Sequence, residues 1–161
     1  MAEQDSERVV REYGDMVWRI CVQRLHRYGC DAAEDAFQNV FLYWLKAPPR
    51  FADAEHARRW FARCALDRCR DYARRAKRRD FDELPDLPVD DTAGEISMDL
   101  IAAVASLPEK YAAAVMLVHG EGMSGEAAAK VLGITHAALR KRLSRAMAML
   151  RERLGEDYCE I

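Results

Sequence analysis

The chain has 161 residues, half of them apolar, and a formal net charge of −2. That length allows one domain or two small ones with a real core, and the near-neutral total gives no hint of a polyanion partner. The N-terminal stretch MAEQDSERVV has no signal-peptide core and no apolar run approaches membrane-spanning length, so no membrane insertion is expected and the expected location is the cytoplasm.

Apolar residues recur at three- and four-residue spacing almost throughout and nothing reads as a strand. The expected fold is all-α: a three-helix N-terminal domain over 1–79, an acidic flexible linker over 80–95 and a helix-turn-helix domain over 96–161. The first helix is expected from Asp5 to Tyr28, with an inward stripe of Val9, Val10, Tyr13, Met16, Val17, Ile20, Cys21 and Leu25, ended by Gly29. The second runs from Asp31, a good N-cap residue, to Lys46 and is stopped by Pro48 and Pro49. Its apolar side is Ala33, Phe37, Val40, Phe41, Trp44 and Leu45, and its polar face carries acids and amides that would repel DNA. The loop PPRFADA leads into a long third helix, 53–79, with Trp60, Phe61, Cys64, Ala65 and Tyr72 on its apolar side.

Charge is segregated along the chain. Residues 56–79 hold ten Lys/Arg against Asp67 and Asp71, while residues 80–99 hold eight acids and no base. The stretch 80–95, with two prolines and a glycine, has linker composition. At roughly 3.3 Å per residue it could reach about 50 Å. Residues 135–153 hold six more bases against Glu152. Two basic helices with an acidic gap point to a polyanion gripped at two places.

The C-terminal part is expected to hold a helix over 97–106 and another opened by Pro108 and running to His119, with Tyr111, Ala114, Val115 and Val118 inward. A short helix, 125–132, is capped by Ser124, and Gly133 makes the turn. A long final helix capped by Thr135 follows, with Leu139, Leu143, Ala146, Leu150 and Leu154 inward. Short helix, glycine turn and longer basic helix make a helix-turn-helix, whose second helix enters the major groove.

No catalytic constellation emerges: the four histidines are scattered, and there is no phosphate loop, GxSxG or HExxH. The five cysteines are irregularly spaced, and Cys64, Cys69 and His56 lack zinc spacing and a fourth ligand. Reduced thiols, no metal, no cofactor and no enzymatic activity are the expectations.

Two stretches resemble a known family. DAAEDAFQNVFLYWLKAPPRFADAEHARRWFARCALDRCRDYARR resembles region two of bacterial RNA polymerase sigma factors of the extracytoplasmic-function (ECF) branch, through AED, Gln38, Phe41, Trp60, Asp71 and Arg74. LPEKYAAAVMLVHGEGMSGEAAAKVLGITHAALRKRLSRAMAMLRERL resembles region four, through LPEKY, EGMS, LGIT and RLSRA. The resemblance implies a protein that binds core RNA polymerase, at its clamp and flap, and directs it to promoter DNA, with an anti-sigma factor as a further partner. It implies clamp contacts by Glu34, Asp35, Gln38, Asn39 and Leu42. It implies −10 recognition and melting by Phe51, Trp60, Phe61, Arg63, Asp67, Arg68, Asp71, Arg74, Arg75 and Arg78, with the loop near 47–56 capturing a flipped base. It implies −35 contacts by Ser124, Thr135, His136, Ala138, Arg140, Lys141, Arg142 and Arg145. Asp67, Ala128, Ala138, Leu139 and Met147 depart from the family's usual Asn, Ile, Thr, Val and Arg, removing a hydroxyl at 138 and a cation at 147. The alternatives are a helix-turn-helix regulator acting without polymerase and an interaction adaptor with degenerate promoter recognition.

Overall fold

A computed structural model describes residues 2–78 and 98–154; the expected linker, 80–95, and the expected domain start at 96 lie outside the described residues. The described residues form helices and turns only, in two compact units.

The first unit holds α1 (Ala2–Arg24), α2 (Cys30–Lys46) and α3 (Ala54–Arg78). A single 3-10 turn, His26–Tyr28, follows α1, and Gly29 with φ 97° reverses the chain into α2, a backbone angle that favours glycine. Asp31 is therefore not the N-cap of α2: that position is Gly29, which offers no side chain, and Asp31 instead places its charge in the first turn, where the helix dipole favours an acid.

The core of this unit is drawn from all three helices: Tyr13, Met16, Val17, Ile20, Cys21 and Leu25 from α1, Val40 and Phe41 from α2, and Phe61, Ala62, Cys64, Ala65, Leu66 and Cys69 from α3. Phe61 is its hub. It is fully buried, stacks on Tyr13 at 4.7 Å and meets Phe41, Trp44 and Phe51 at 5.7, 6.4 and 6.0 Å. Two residues expected inward are not: Val10 is 40 % and Leu45 52 % exposed. Both lie at the edge of their helix stripes, where spacing alone cannot separate core from rim.

Three thiols share this core. Burial and a hydrogen bond with Cys69 push the Cys21 thiol up, the hydrogen bond having the larger effect, and burial raises Cys64 from the ordinary 9.0 to about 11. Cys30, at the start of α2, is exposed.

The second unit holds α4 (Met98–Ser106), α5 (Glu109–Val115), α6 (Gly125–Leu132) and α7 (His136–Leu154). Pro108, expected in the first turn of α5, stands instead just before it, at the N-cap position, and the α-helix does not continue to His119. From Met116 to Gly120 it widens into a π-helical turn, closed by the Glu121 N–H donating to the Met116 carbonyl at 2.9 Å. Ala103, Val104, Leu107, Tyr111, Ala112, Val115, Ala146 and Leu150 pack into one cluster, with Leu143 and Leu154 half-buried against it.

Truncating the hub, Phe61→Ala, is expected to destabilise the first unit by about 3–5 kcal/mol, read as a lower urea midpoint, with Phe61→Leu costing less. A protein whose midpoint is unchanged would not use Phe61 as its hub. Cys21 and Cys64 give a pH signature. Because their folded values are raised, the stability they confer is complete below pH 9 and that of Cys64 declines as pH rises towards 11. In a Cys159→Ser background, iodoacetamide should modify Cys30 rapidly and Cys21, Cys64 and Cys69 only in denaturant, as counted by intact mass.

Candidate nucleic-acid interface

Three surfaces carry the chemistry the sequence singled out. On α2, Glu34, Asp35, Gln38 and Leu42 are exposed and Asn39 is half-buried, its Nδ2 donating to Asp35 Oδ2 at 3.5 Å. Spacings of three and four put Asp35, Gln38, Asn39 and Leu42 on one face. Leu42 is 54 % exposed, so this face combines acid, amide and aliphatic groups. That composition is poor for DNA and good for a protein partner.

On α3 the structure corrects one expectation. Phe61, expected to contact DNA, has no surface at all, because it is the aromatic hub of the unit. Its neighbour Trp60 points 100° round the helix and sits half-buried at the rim, edge-on to Phe61 at 4.9 Å and to Phe51 at 5.8 Å. Asp67 and Asp71 are placed among arginines: Asp67 pairs with Arg63 at 3.4 Å and Arg70 at 3.7 Å, and Asp71 with Arg68 at 3.4 Å. Glu55 pairs with Arg59 at 3.4 Å. The exposed Arg74, Arg75, Lys77 and Arg78 follow at the C-terminal end, where cations also oppose the helix dipole.

Tyr43 has no place in the sequence reading. It is 49 % exposed, stacks on Trp60 at 6.1 Å and carries the Arg68 guanidinium over its ring at 5.0 Å. Its position four residues after Asn39 was the available signal; the cross-helix contact to Trp60 was not legible.

The third surface is the helix-turn-helix. The Ser124 hydroxyl accepts from the Ala127 N–H at 3.1 Å and caps α6. Gly133, at φ 68°, ends α6 in a Schellman turn, with Gly133 N–H donating to the Lys130 carbonyl and Ile134 N–H to that of Ala129. Thr135 Oγ1 accepts from the Ala138 N–H at 3.1 Å and caps α7. Ser124 and Thr135 thus already hold backbone groups. The His136 ring lies so close to Gly125 that a Cβ there would stand 2.4 Å from its Nε2. His136 thereby bridges the first turns of α6 and α7. Arg140, Lys141 and Arg145 are exposed, and Arg142 and Ala138 half-buried. Arg145 also reaches back to α5, where its hydrogen bond lowers the Tyr111 hydroxyl from its ordinary value. Lys110 lies over the same ring at 4.9 Å.

Among the described residues no group of three or more His, Cys, Asp or Glu could hold a metal ion, and no helix is long and apolar enough to cross a membrane.

A helix-turn-helix unit and a three-helix unit with a basic helix are the features of a DNA-binding protein. The sequence model of Sigma-70 region 2 matches residues 9–79 and that of Sigma-70 region 4 matches residues 97–150. The chain is 29 % identical over 165 residues to the ECF RNA polymerase sigma factor SigE of Mycolicibacterium smegmatis, covering 96 % of this chain and 63 % of that one. It is 29 % identical over 150 residues to the ECF RNA polymerase sigma factor SigM of Mycobacterium tuberculosis, covering 88 % and 76 %. In fold it is similar to the sigma factor RpoE of Bartonella quintana, solved with the anti-sigma factor NepR (TM-score 0.77, 18 % identity, 96 % of this chain and 99 % of that one). It is also similar to CnrH, solved with the cytosolic domain of CnrY (TM-score 0.68, 22 % identity, 96 % and 90 %). The chain belongs to the sigma-70 family of RNA polymerase sigma factors, in its extracytoplasmic-function branch.

Arg145→Ala should return the Tyr111 hydroxyl towards 10.0. The readout is the 295 nm titration difference between each protein and its Tyr111→Phe counterpart; an unmoved difference would release Arg145 from α5.

Proposed function

We propose that this chain is a promoter-specificity subunit: it binds core RNA polymerase and directs initiation at its own promoters, with no enzymatic step of its own. The observation that carries this reading is the exposed acid-amide-aliphatic face of α2 on the same chain as two basic elements. A polymerase-independent regulator needs no such face.

In this reading the chain works as residues 1–79, a linker over 80–95 and residues 96–161. Glu34, Asp35, Gln38, Asn39 and Leu42 dock on the polymerase clamp, while region four meets the flap. Phe51 and Trp60 supply partly exposed aromatic surface for unstacked bases at the −10 element, and base–aromatic stacking is worth about 1–3 kcal/mol per base. Arg74, Arg75 and Arg78 supply charge for the adjoining phosphates. Arg140, Lys141 and Arg142 work at the −35 element, where α7 offers its N-terminal half to the major groove. The acidic linker suits channels of polymerase otherwise used by RNA. The site of action is the cytoplasm. Because RpoE and CnrH were solved with NepR and CnrY, an anti-sigma protein is a further partner to expect.

Purified chain with core polymerase should give specific run-off transcription from its cognate promoter, and the chain alone should bind promoter duplex poorly. Tight operator binding without polymerase would instead make it a free-standing regulator, and polymerase binding without initiation an adaptor. The double variant Asp35→Ala/Gln38→Ala should weaken polymerase binding about ten-fold or more while thermal stability is retained. Unchanged capture of polymerase would move the docking face elsewhere.

A further inference from the structure

The turn that brings α2 into α3, residues 47–53, is fixed by a histidine. Asp53 stands at the N-cap of α3 and its Oδ1 accepts from the His56 N–H at 2.7 Å. In return the Ala52 N–H donates to His56 Nδ1 at 3.1 Å. This is a capping box with an altered partner. The third helical position ordinarily carries Glu or Gln and reaches back to the N-cap N–H. Here it carries His56, which reaches one residue further, into the loop itself. Because Nδ1 accepts, the ring proton of the neutral imidazole is on Nε2.

The same ring positions Phe51. The two rings meet edge-on at 5.5 Å and 88°, and Phe51 continues to Trp60 at 5.8 Å and Phe61 at 6.0 Å. His56 thus holds the loop at two consecutive residues, through the side chain of Phe51 and the backbone of Ala52. A Glu at 56 could make the backbone bond but not the ring contact. It would also add a third carboxylate to a turn that already has Asp53 and Glu55, on the side meant for DNA.

We infer that His56 is a positioning residue for base capture, holding the 47–53 loop and Phe51 in the receiving conformation through its Nδ1 bond to Ala52 and its ring contact with Phe51. The inference rests on the reading of this loop as the one that captures a flipped promoter base. A pre-set loop pays its ordering cost during folding rather than at the moment of melting.

The experiment selects promoters from a library randomised across the −10 element, using holoenzyme made from wild type, His56→Ala or His56→Asn. Asn keeps an acceptor oxygen near the place of Nδ1. Wild type should show a base preference at each recognised position. His56→Ala should flatten the preference at one position about five-fold, the weight of a single hydrogen bond, and leave polymerase affinity unchanged. His56→Asn, which keeps the acceptor but not the ring contact, should recover part of it. Amide exchange in the free chain should show Ala52 N–H protected in wild type and His56→Asn and unprotected in His56→Ala. Lost Ala52 protection with an unchanged base preference would reduce His56 to a plain helix cap and overturn the inference, as would a retained Ala52 protection in His56→Ala. A wild-type holoenzyme that selects no sequence at all would fail differently, removing the sigma-factor reading beneath it.

Discussion

The first unit depends on one buried ring. Phe61 touches aromatic residues from α1, α2 and the loop before α3, so its position sets where all three stand. Consecutive residues on a helix are 100° apart. With Phe61 driven fully inward, Trp60 must lie at the rim, and it is there that Phe51 and Tyr43 meet it. The partly exposed aromatic surface proposed for base capture is a consequence of core packing. Removing Phe61 would lose the surface together with the fold, whereas Trp60 and Phe51 can be changed with the core intact.

Electrostatics along α3 follow a second rule. Four of its arginines, at 59, 63, 68 and 70, face acids one turn away. Such exposed pairs contribute roughly 0–1 kcal/mol and are screened by salt. They restrain the side chains in the free protein without holding them against a phosphate, which offers a comparable or stronger charge-assisted bond. Asp67 and Asp71 thus lower the field of the basic helix. The cations at 74, 75, 77 and 78 remain exposed at its end, so nonspecific attraction is concentrated at one place.

Much of this was legible in the sequence because local rules and tertiary packing agree. Ser124, Gly133 and Thr135 are residue types favoured at caps and turns, and the structure uses all three there. The family was legible for the same reason: both regions carry their motifs in contiguous stretches. Failures occur where the answer depends on a partner far along the chain. Phe61 and Trp60 are equally apolar and adjacent, and only the packing of Tyr13 and Phe41 decides which is core. Leu45 fits the apolar period of α2 but projects beyond the neighbouring helices. The roles of Tyr43 and His56 were not legible because their contacts cross to another element or back into a loop. The π turn after Val115 has no composition signal and satisfies its carbonyls by one wider step.

The two units reach rigidity by different means. The first has large rings to bury. In α6 the buried residues are Ala127, Ala128, Ala129 and Val131, and an alanine side chain removes little apolar area from water. Apolar packing therefore gives α6 less hold than α3 receives from Phe61. What fixes it instead is its ends: the Ser124 cap, the Schellman turn at Gly133 and His136 seated against Gly125. The Schellman turn leads directly into α7 and His136 is the first residue of that helix, while the Ser124 cap closes the far end of α6. Caps are worth about 1 kcal/mol each, so their sum rivals one buried leucine. α6 is thus held largely by directed bonds at its ends, whereas α7 is anchored by Leu139, Ala146 and Leu150 in the core. Of the two departures, Ala138 changes what α7 presents, whereas Met147 packs against the apolar cluster that seats α7 on α4 and α5.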